Sequence, residues 1–123
     1  MTEALFTNAL RMAFERRETQ PGLIIHSDRG VQYRAQKYID FMVRHGATPS
    51  MSRKGNCWDN APMESFFSRL KVELIYTQQF HSIDEAKSSI FEYIEVFYNR
   101  LRRHSSIGYV APAEFERRAA LAA

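Results

Sequence analysis

Only two stretches of this chain read as β-strands, and that shortage limits what it can fold into. The first is Leu23-Ile24-Ile25-His26-Ser27, a short apolar run rich in β-branched residues between Pro21-Gly22 and Asp28-Arg29-Gly30. Its pattern predicts a strand buried on both faces. The second, residues 47–51, carries Pro49 and reads as an edge strand. Two parallel strands beneath helices leave an apolar sheet edge without a partner. The strands that should flank residues 23–27 are therefore expected from a partner, or from a larger domain of which this chain is a piece.

Helical spacing accounts for most of the remainder. Residues 2–18 place Leu5, Phe6, Ala9, Leu10, Ala13 and Phe14 on one apolar face. A second helix is expected over residues 34–45, with Tyr38, Phe41 and Met42 inward and Gly46 as its stop. Residues 52–60 form a polar loop. In it Asp59 or Asn60 is expected to cap a helix that takes Pro62 in its first turn and shows Met63, Phe66, Phe67, Leu70 and Leu74. Ser82-Ile83-Asp84-Glu85 is a capping box. It opens a long helix with Ile83, Ala86, Ile90, Ile94, Phe97 and Leu101 on one stripe, and Pro112 opens a short terminal helix. The order helix, strand, helix, strand, then helices is an α/β pattern with too few strands.

At 123 residues, with 45% hydrophobic and 25% charged residues, the chain is expected to form a single domain rather than a disordered segment. No run of 18 apolar residues exists, which excludes a membrane-spanning helix. Residues 1–17 are charged throughout and lack a cleavage site, unlike a signal peptide. Cys57 is the single cysteine, so neither an intrachain disulfide nor a multi-thiol zinc site is open to it. The expected location is cytoplasmic. The net charge of +3 is mild, but its distribution is not. Between positions 29 and 58, Arg29, Arg34, Lys37, Arg44, Arg53 and Lys54 face Asp40 alone, and Arg100, Arg102, Arg103 and His104 cluster later. Such patches attract phosphates or are simply solvated surface.

Asp28 falls at the carboxyl end of the first strand, where open α/β sheets place ligands. Glu64 falls in the first turns of the helix after the polar loop. Two carboxylates converging from a strand end and a helix start are what hard Mg²⁺ or Mn²⁺ takes, with positions left for water and phosphate. At about 100° per residue, Lys71 returns to the face of Glu64. Glu64, Ser68 and Lys71 then form a polar stripe that can hold DNA. The competing reading makes Asp28 a turn cap and the stripe a solvated face. His26 shares a strand face with Asp28, either lining a site or serving as a hydrogen-bonded structural histidine. Gly30 is expected to permit a positive φ in the turn. Arg53 and Lys54 are the best candidates for phosphate contacts. Trp58 either stacks on a base or packs on Phe66. Tyr93, Phe97 and Tyr98 read as core.

Two longer segments add a resemblance. His26-Ser27-Asp28-Arg29-Gly30-Val31-Gln32-Tyr33, and the run from Ser52-Arg53-Lys54-Gly55-Asn56-Cys57-Trp58-Asp59-Asn60 through Ala61-Pro62-Met63-Glu64-Ser65-Phe66-Phe67, resemble bacterial insertion-sequence transposases of family three. Tyr98-Asn99-Arg100, His104, Gly108-Tyr109 and Pro112 are similar to that family's end. The likeness is to the second-frame product, which carries a retroviral-integrase-like core. It implies an RNase H-like fold, here incomplete and helix-rich with a small parallel sheet remnant. It also implies an Asp-Asp-Glu triad on two divalent metals, Mg²⁺ or Mn²⁺. By that resemblance Asp28 matches the second acid, Glu64 the third, and Lys71 the basic residue two turns on. The implied chemistry is DNA cleavage at transposon ends followed by strand transfer to another phosphate. Lys71, Arg53, Lys54, Trp58 and Arg29 are the expected DNA contacts.

The family's first Asp lies on a strand ahead of the first helix, whereas the upstream acids here, Glu3, Glu15 and Glu18, fall on or beside a helix. Residues 1–123 are therefore expected to be the C-terminal portion of a core domain, inactive alone and partnered by DNA and by an intact transposase or a second copy. The alternatives are a non-catalytic nucleic-acid-binding or inhibitory fragment, and a remnant that aggregates through its bare sheet edge.

Overall fold

Helix α1 (Glu3–Arg16) turns Phe6, Leu10 and Phe14 onto a small core of Tyr38, Met42 and Ala47. The structure is a computed structural model that describes residues 2–123, with Cys57 described by its backbone alone. It divides into two units, one ending at Glu64 and the other running Ser65–Ala123.

In the first unit α1 is followed by β1 (Ile24–Ser27), a 3-10 turn (Val31–Arg34), α2 (Gln36–Arg44) and β2 (Thr48–Met51). A second 3-10 turn (Cys57–Asn60) leads into α3 (Ala61–Glu73). The inward face of α2 is the expected one, since Tyr38, Phe41 and Met42 are all buried. Gly46 ends this segment at φ +75, a backbone conformation that glycine adopts without a Cβ penalty. On α1 the apolar face is narrower than its spacing suggested: Phe6, Leu10 and Phe14 pack inward, while Leu5, Ala9 and Ala13 are exposed. Aromatic contacts complete the layer, with Phe6 edge-on to Tyr33 at 4.9 Å and Phe14 stacked on His45 at 4.6 Å.

Strands β1 and β2 pair in parallel, Ile24 opposite Thr48 and Ser27 opposite Met51. Thr48 N donates to Leu23 O (2.8 Å) and Ser52 N to Ser27 O (2.9 Å). Even-numbered amides thus face β1, so Pro49 sits where no ladder donor is required. The expectation of a strand buried on both faces is corrected here. Ile24 is 66% exposed and His26 is exposed, while Ile25 and Ser27 turn inward. Ile25 packs on the same core as α1 and α2, so the strand is covered on one face and alternates.

In the second unit Leu70, Leu74 and Tyr93 are buried together, with Phe66, Ile90, Ile94 and Tyr98 packed around them. The capping box forms as expected at the start of α4 (Ile83–Glu92), where Glu85 N donates to Ser82 Oγ at 3.0 Å. The reciprocal bond runs one residue upstream, from His81 N to Glu85 Oε2 at 2.8 Å. Helix α4 continues as a π-helical stretch, Tyr93–Tyr98. Its wider turn breaks the 3.6-residue period, and Phe97 and Leu101 leave the expected stripe; Ile83, in the first turn of α4, is exposed as well. Tyr93 and Tyr98 do pack in the core, while Phe97, 41% exposed, lies at its edge with its ring 5.5 Å from that of Tyr93. A last helix, α5 (Pro112–Ala122), begins with proline as expected. Among the described residues no helix is long and apolar enough to cross a membrane.

Candidate metal and nucleic-acid site

Strand β1 delivers Asp28 immediately beyond its carboxyl end, in an exposed position. Asp28 Oδ1 accepts a 2.7 Å hydrogen bond from Gly30 N, closing a tight turn. Gly30 has φ −52, so the expected positive φ is not what the position requires. The requirement is space: a Cβ at residue 30 would lie 2.9 Å from Asp28 Oδ1. Glycine here lets the backbone approach the carboxylate and fix its orientation.

Asp28 borders a cavity of about 350 Å³ whose wall also includes His26, Tyr33, Asp59, Asn60 and Met63. His26 Nδ1 lies 3.1 Å from Ser50 Oγ across the two strands. It is therefore both a hydrogen-bonded histidine of the sheet and part of the cavity wall. Burial, and then the nearby charge of Asp28, push the Tyr33 phenol above its ordinary pKa. Tyr33 is thus a neutral hydroxyl beside the carboxylate.

The loop between β2 and α3 is organised by an ion pair that sequence inspection missed. Asp59 Oδ2 accepts from Arg53 N (2.8 Å) and Arg53 Nε (3.1 Å), and Oδ1 accepts from Arg53 Nη2 (2.8 Å). These bonds hold the Asp59 carboxyl down at about 2. Asp59 was expected as a candidate helix cap, but both its oxygens are bonded to Arg53. Asn56 instead caps the 3-10 turn, its Oδ1 accepting from Trp58 N at 3.0 Å. No periodicity or motif announces a pairing across six loop residues, so the sequence carried no signal for it.

Glu64 lies in the first turn of α3 and is exposed. Its neighbours Pro62 and Met63 line the Asp28 cavity, but Glu64 itself does not. Among the described residues, no group of three or more His, Cys, Asp or Glu is poised around a metal position. Lys71 is exposed on α3 in the second unit.

A second, open cleft of about 750 Å³ lies on the first unit, lined by Arg29, Arg34, Arg53, Lys54 and Asn60 among others. Arg29 Nε donates to Ser52 O at 2.8 Å, and Ser52 is buried. Arg53, 74% exposed along its side chain, is held by Asp59. Three of the expected DNA contacts, Arg29, Arg53 and Lys54, thus share one surface. Trp58 is 81% exposed, so it is not a buried side chain.

Comparisons with known proteins agree with this architecture. Models described as an integrase core domain match residues 45–112 and residues 1–57. The insertion element IS600 uncharacterized 31 kDa protein of Shigella sonnei is 53% identical over 94% of this chain and 42% of its own length. The transposase InsF for insertion sequence IS3A of Escherichia coli is 47% identical over 94% of this chain and 40% of its own. The chain therefore spans less than half the length of these relatives. In three dimensions it is similar to the catalytic core domain of BIV integrase, at TM-score 0.70 and 20% identity. That match covers 98% of this chain and 74% of the other. Its fold is the RNase H-like one of that core, as the sequence motifs implied. By the family model that matches more than half of its residues, the chain belongs to the integrase core family.

Proposed function

We propose that Asp28 and Glu64 are two carboxylates of a divalent-metal centre that serves DNA strand cleavage and strand transfer, as the transposase relatives' names suggest. The observation that carries this reading is the cavity at the end of β1: Asp28 borders it directly, and the first turn of α3 borders it through Pro62 and Met63, next to Glu64. The donors fit a hard cation. Mg²⁺ is commonly held by one or two carboxylates plus water and substrate phosphate, which is the set this chain offers. The remaining carboxylate implied by the resemblance would come from polypeptide beyond these 123 residues. Bound Mg²⁺ or Mn²⁺ would activate the attacking oxygen and stabilise the leaving one.

The chain's own residues prepare this site. Gly30 N fixes one oxygen of Asp28 and leaves Oδ2 for other partners. The Arg53–Asp59 pair fixes the loop from which α3 starts. Arg29, Lys54, Trp58 and Lys71 are offered as DNA contacts because each is exposed and cationic or aromatic. We place the work in the bacterial cytoplasm, on nucleoid DNA.

A second reading is favoured by the sheet. Among the described residues β1 pairs with β2 alone, so its other edge is free to accept a strand from an intact transposase or a second copy. The chain would then bind and modulate without turnover.

Calorimetric titration of Mn²⁺ separates the two readings. Binding by the native chain, lost in the Asp28→Asn, Glu64→Gln double variant, supports the metal centre. Equal or absent binding in both overturns it and leaves the second reading.

A further inference from the structure

The basic cleft and the Asp28 cavity are neighbours, because Asn60 lines both. Four cations and no acidic side chain line the cleft. Their roles differ. The Arg29 guanidinium is tied through Nε to the carbonyl of buried Ser52, and the Arg53 guanidinium is neutralised by Asp59 through two hydrogen bonds. Both anchor the loop that makes the cleft. Arg34, at the end of the first 3-10 turn, and Lys54 are exposed, and among the described residues the side chain of neither makes a hydrogen bond or ion pair. They reach the cleft from two segments that the Arg29–Ser52 bond holds together.

We infer that this cleft is a phosphodiester cradle in which Arg34 and Lys54 supply the charge, so that a DNA strand crosses Asn60 between the cradle and Asp28. Asn60, whose amide both donates and accepts, divides a cationic surface from an acidic one. A strand laid across it has its phosphates held on the cationic side as it passes toward the Asp28 cavity. The inference rests on the reading of DNA as substrate. It adds Arg34 and Asn60 to the surface and removes Arg53 from the direct contacts.

Salt dependence tests it, because each cation that neutralises a phosphate of B-DNA contributes about 0.9 to the slope of log K against log salt. Binding of a fluorescein-labelled duplex to the 123-residue chain would be followed by anisotropy from about 50 to 200 mM KCl. The Arg34→Gln, Lys54→Gln variant is expected to be shallower in slope by about 1.8. The Arg53→Gln, Asp59→Asn variant, which removes a neutral pair and loosens the loop, is expected to bind more weakly at every salt concentration while keeping the native slope. Arg34→Lys is expected to keep it too, which separates lost charge from lost folding. Native binding with an unchanged slope in Arg34→Gln, Lys54→Gln overturns the cradle and leaves DNA as substrate standing. An equal drop in slope in Arg53→Gln, Asp59→Asn overturns the division of roles. No binding by the native chain even at the lowest salt overturns both the cradle and the DNA reading beneath it.

Discussion

The two units each contain an arginine–carboxylate pair, and the two pairs do different work. In the first unit Arg53 and Asp59 are six residues apart, and the arginine is largely in water. In the second unit Arg102 reaches back 29 residues to Glu73, with Nε and Nη2 on the carboxylate at 2.8–3.1 Å. Tyr93 OH donates to the same carboxylate at 2.6 Å, and Arg102 lies 5.9 Å from the Tyr98 ring centre. The chemistry is shared, but the surroundings decide its effect. An exposed pair is screened and adds little to stability, yet it still selects one loop shape. A pair set among aromatic rings cannot lose a partner without stranding the other in a poorly solvated place. The Arg53–Asp59 pair sets the form of a loop, and the Arg102–Glu73 pair sets the integrity of the fold.

The largest expected effect concerns the cores. Met42, 2% exposed, is the most deeply buried core side chain of the first unit. Met42→Ala should cost about 3 kcal/mol. Hydrogen exchange should show lost protection in α2 and β2 while α4 stays protected. Equal loss in both units would mean that they do not differ in the way described. Next comes Arg102→Ala, expected to cost about 2 kcal/mol as Glu73 and the Tyr98 ring lose their charged partner. The Arg53→Ala variant should leave the thermal midpoint where it is, and a matching drop would erase the contrast.

The second unit's pair also has a pH signature. The Arg102 hydrogen bonds hold the Glu73 carboxyl below its ordinary value, outweighing the opposing effect of burial. Its contribution is therefore full above the carboxylate pKa of the unfolded chain and disappears as pH falls through the depressed folded value. Burial, and then Glu73, raise the Tyr93 phenol, so its contribution holds below about 10 and is lost as pH rises beyond the unfolded tyrosine value. Stability measured against pH should lose the acid edge in Glu73→Gln and keep the part of the alkaline edge that burial of Tyr93 sets.

Local signals proved readable because their causes are local. The face of α2, the Ser82 cap, Pro112 at a helix start and Pro49 in an edge position each depend on a few neighbouring residues. Long segments shared with a known family also carried the fold. What failed depended on tertiary context. Whether the outer face of Ile24 is covered is decided by what packs there, and Ile24's own apolar character says nothing about it. Gly30 was readable as a special position but not for the right reason, since the close approach of Asp28 Oδ1 exists only in three dimensions. Nor do 29 residues of intervening sequence hint that Arg102 meets Glu73. At the candidate site, Asp28 beside a cavity was foreseeable from a polar residue at a strand's end. That Asp59 belongs to Arg53 was not.

Asp28 and Glu64 are proposed to hold one cation together. Paramagnetic broadening by Mn²⁺ in the amide spectrum of the ¹⁵N-labelled chain addresses it most directly. If both carboxylates take the same ion, the signals of Gly30 and Ser65 fade together as Mn²⁺ is added, and Asp28→Asn alone restores both. Signals that respond independently, or broadening around one acid only, would contradict a shared metal centre.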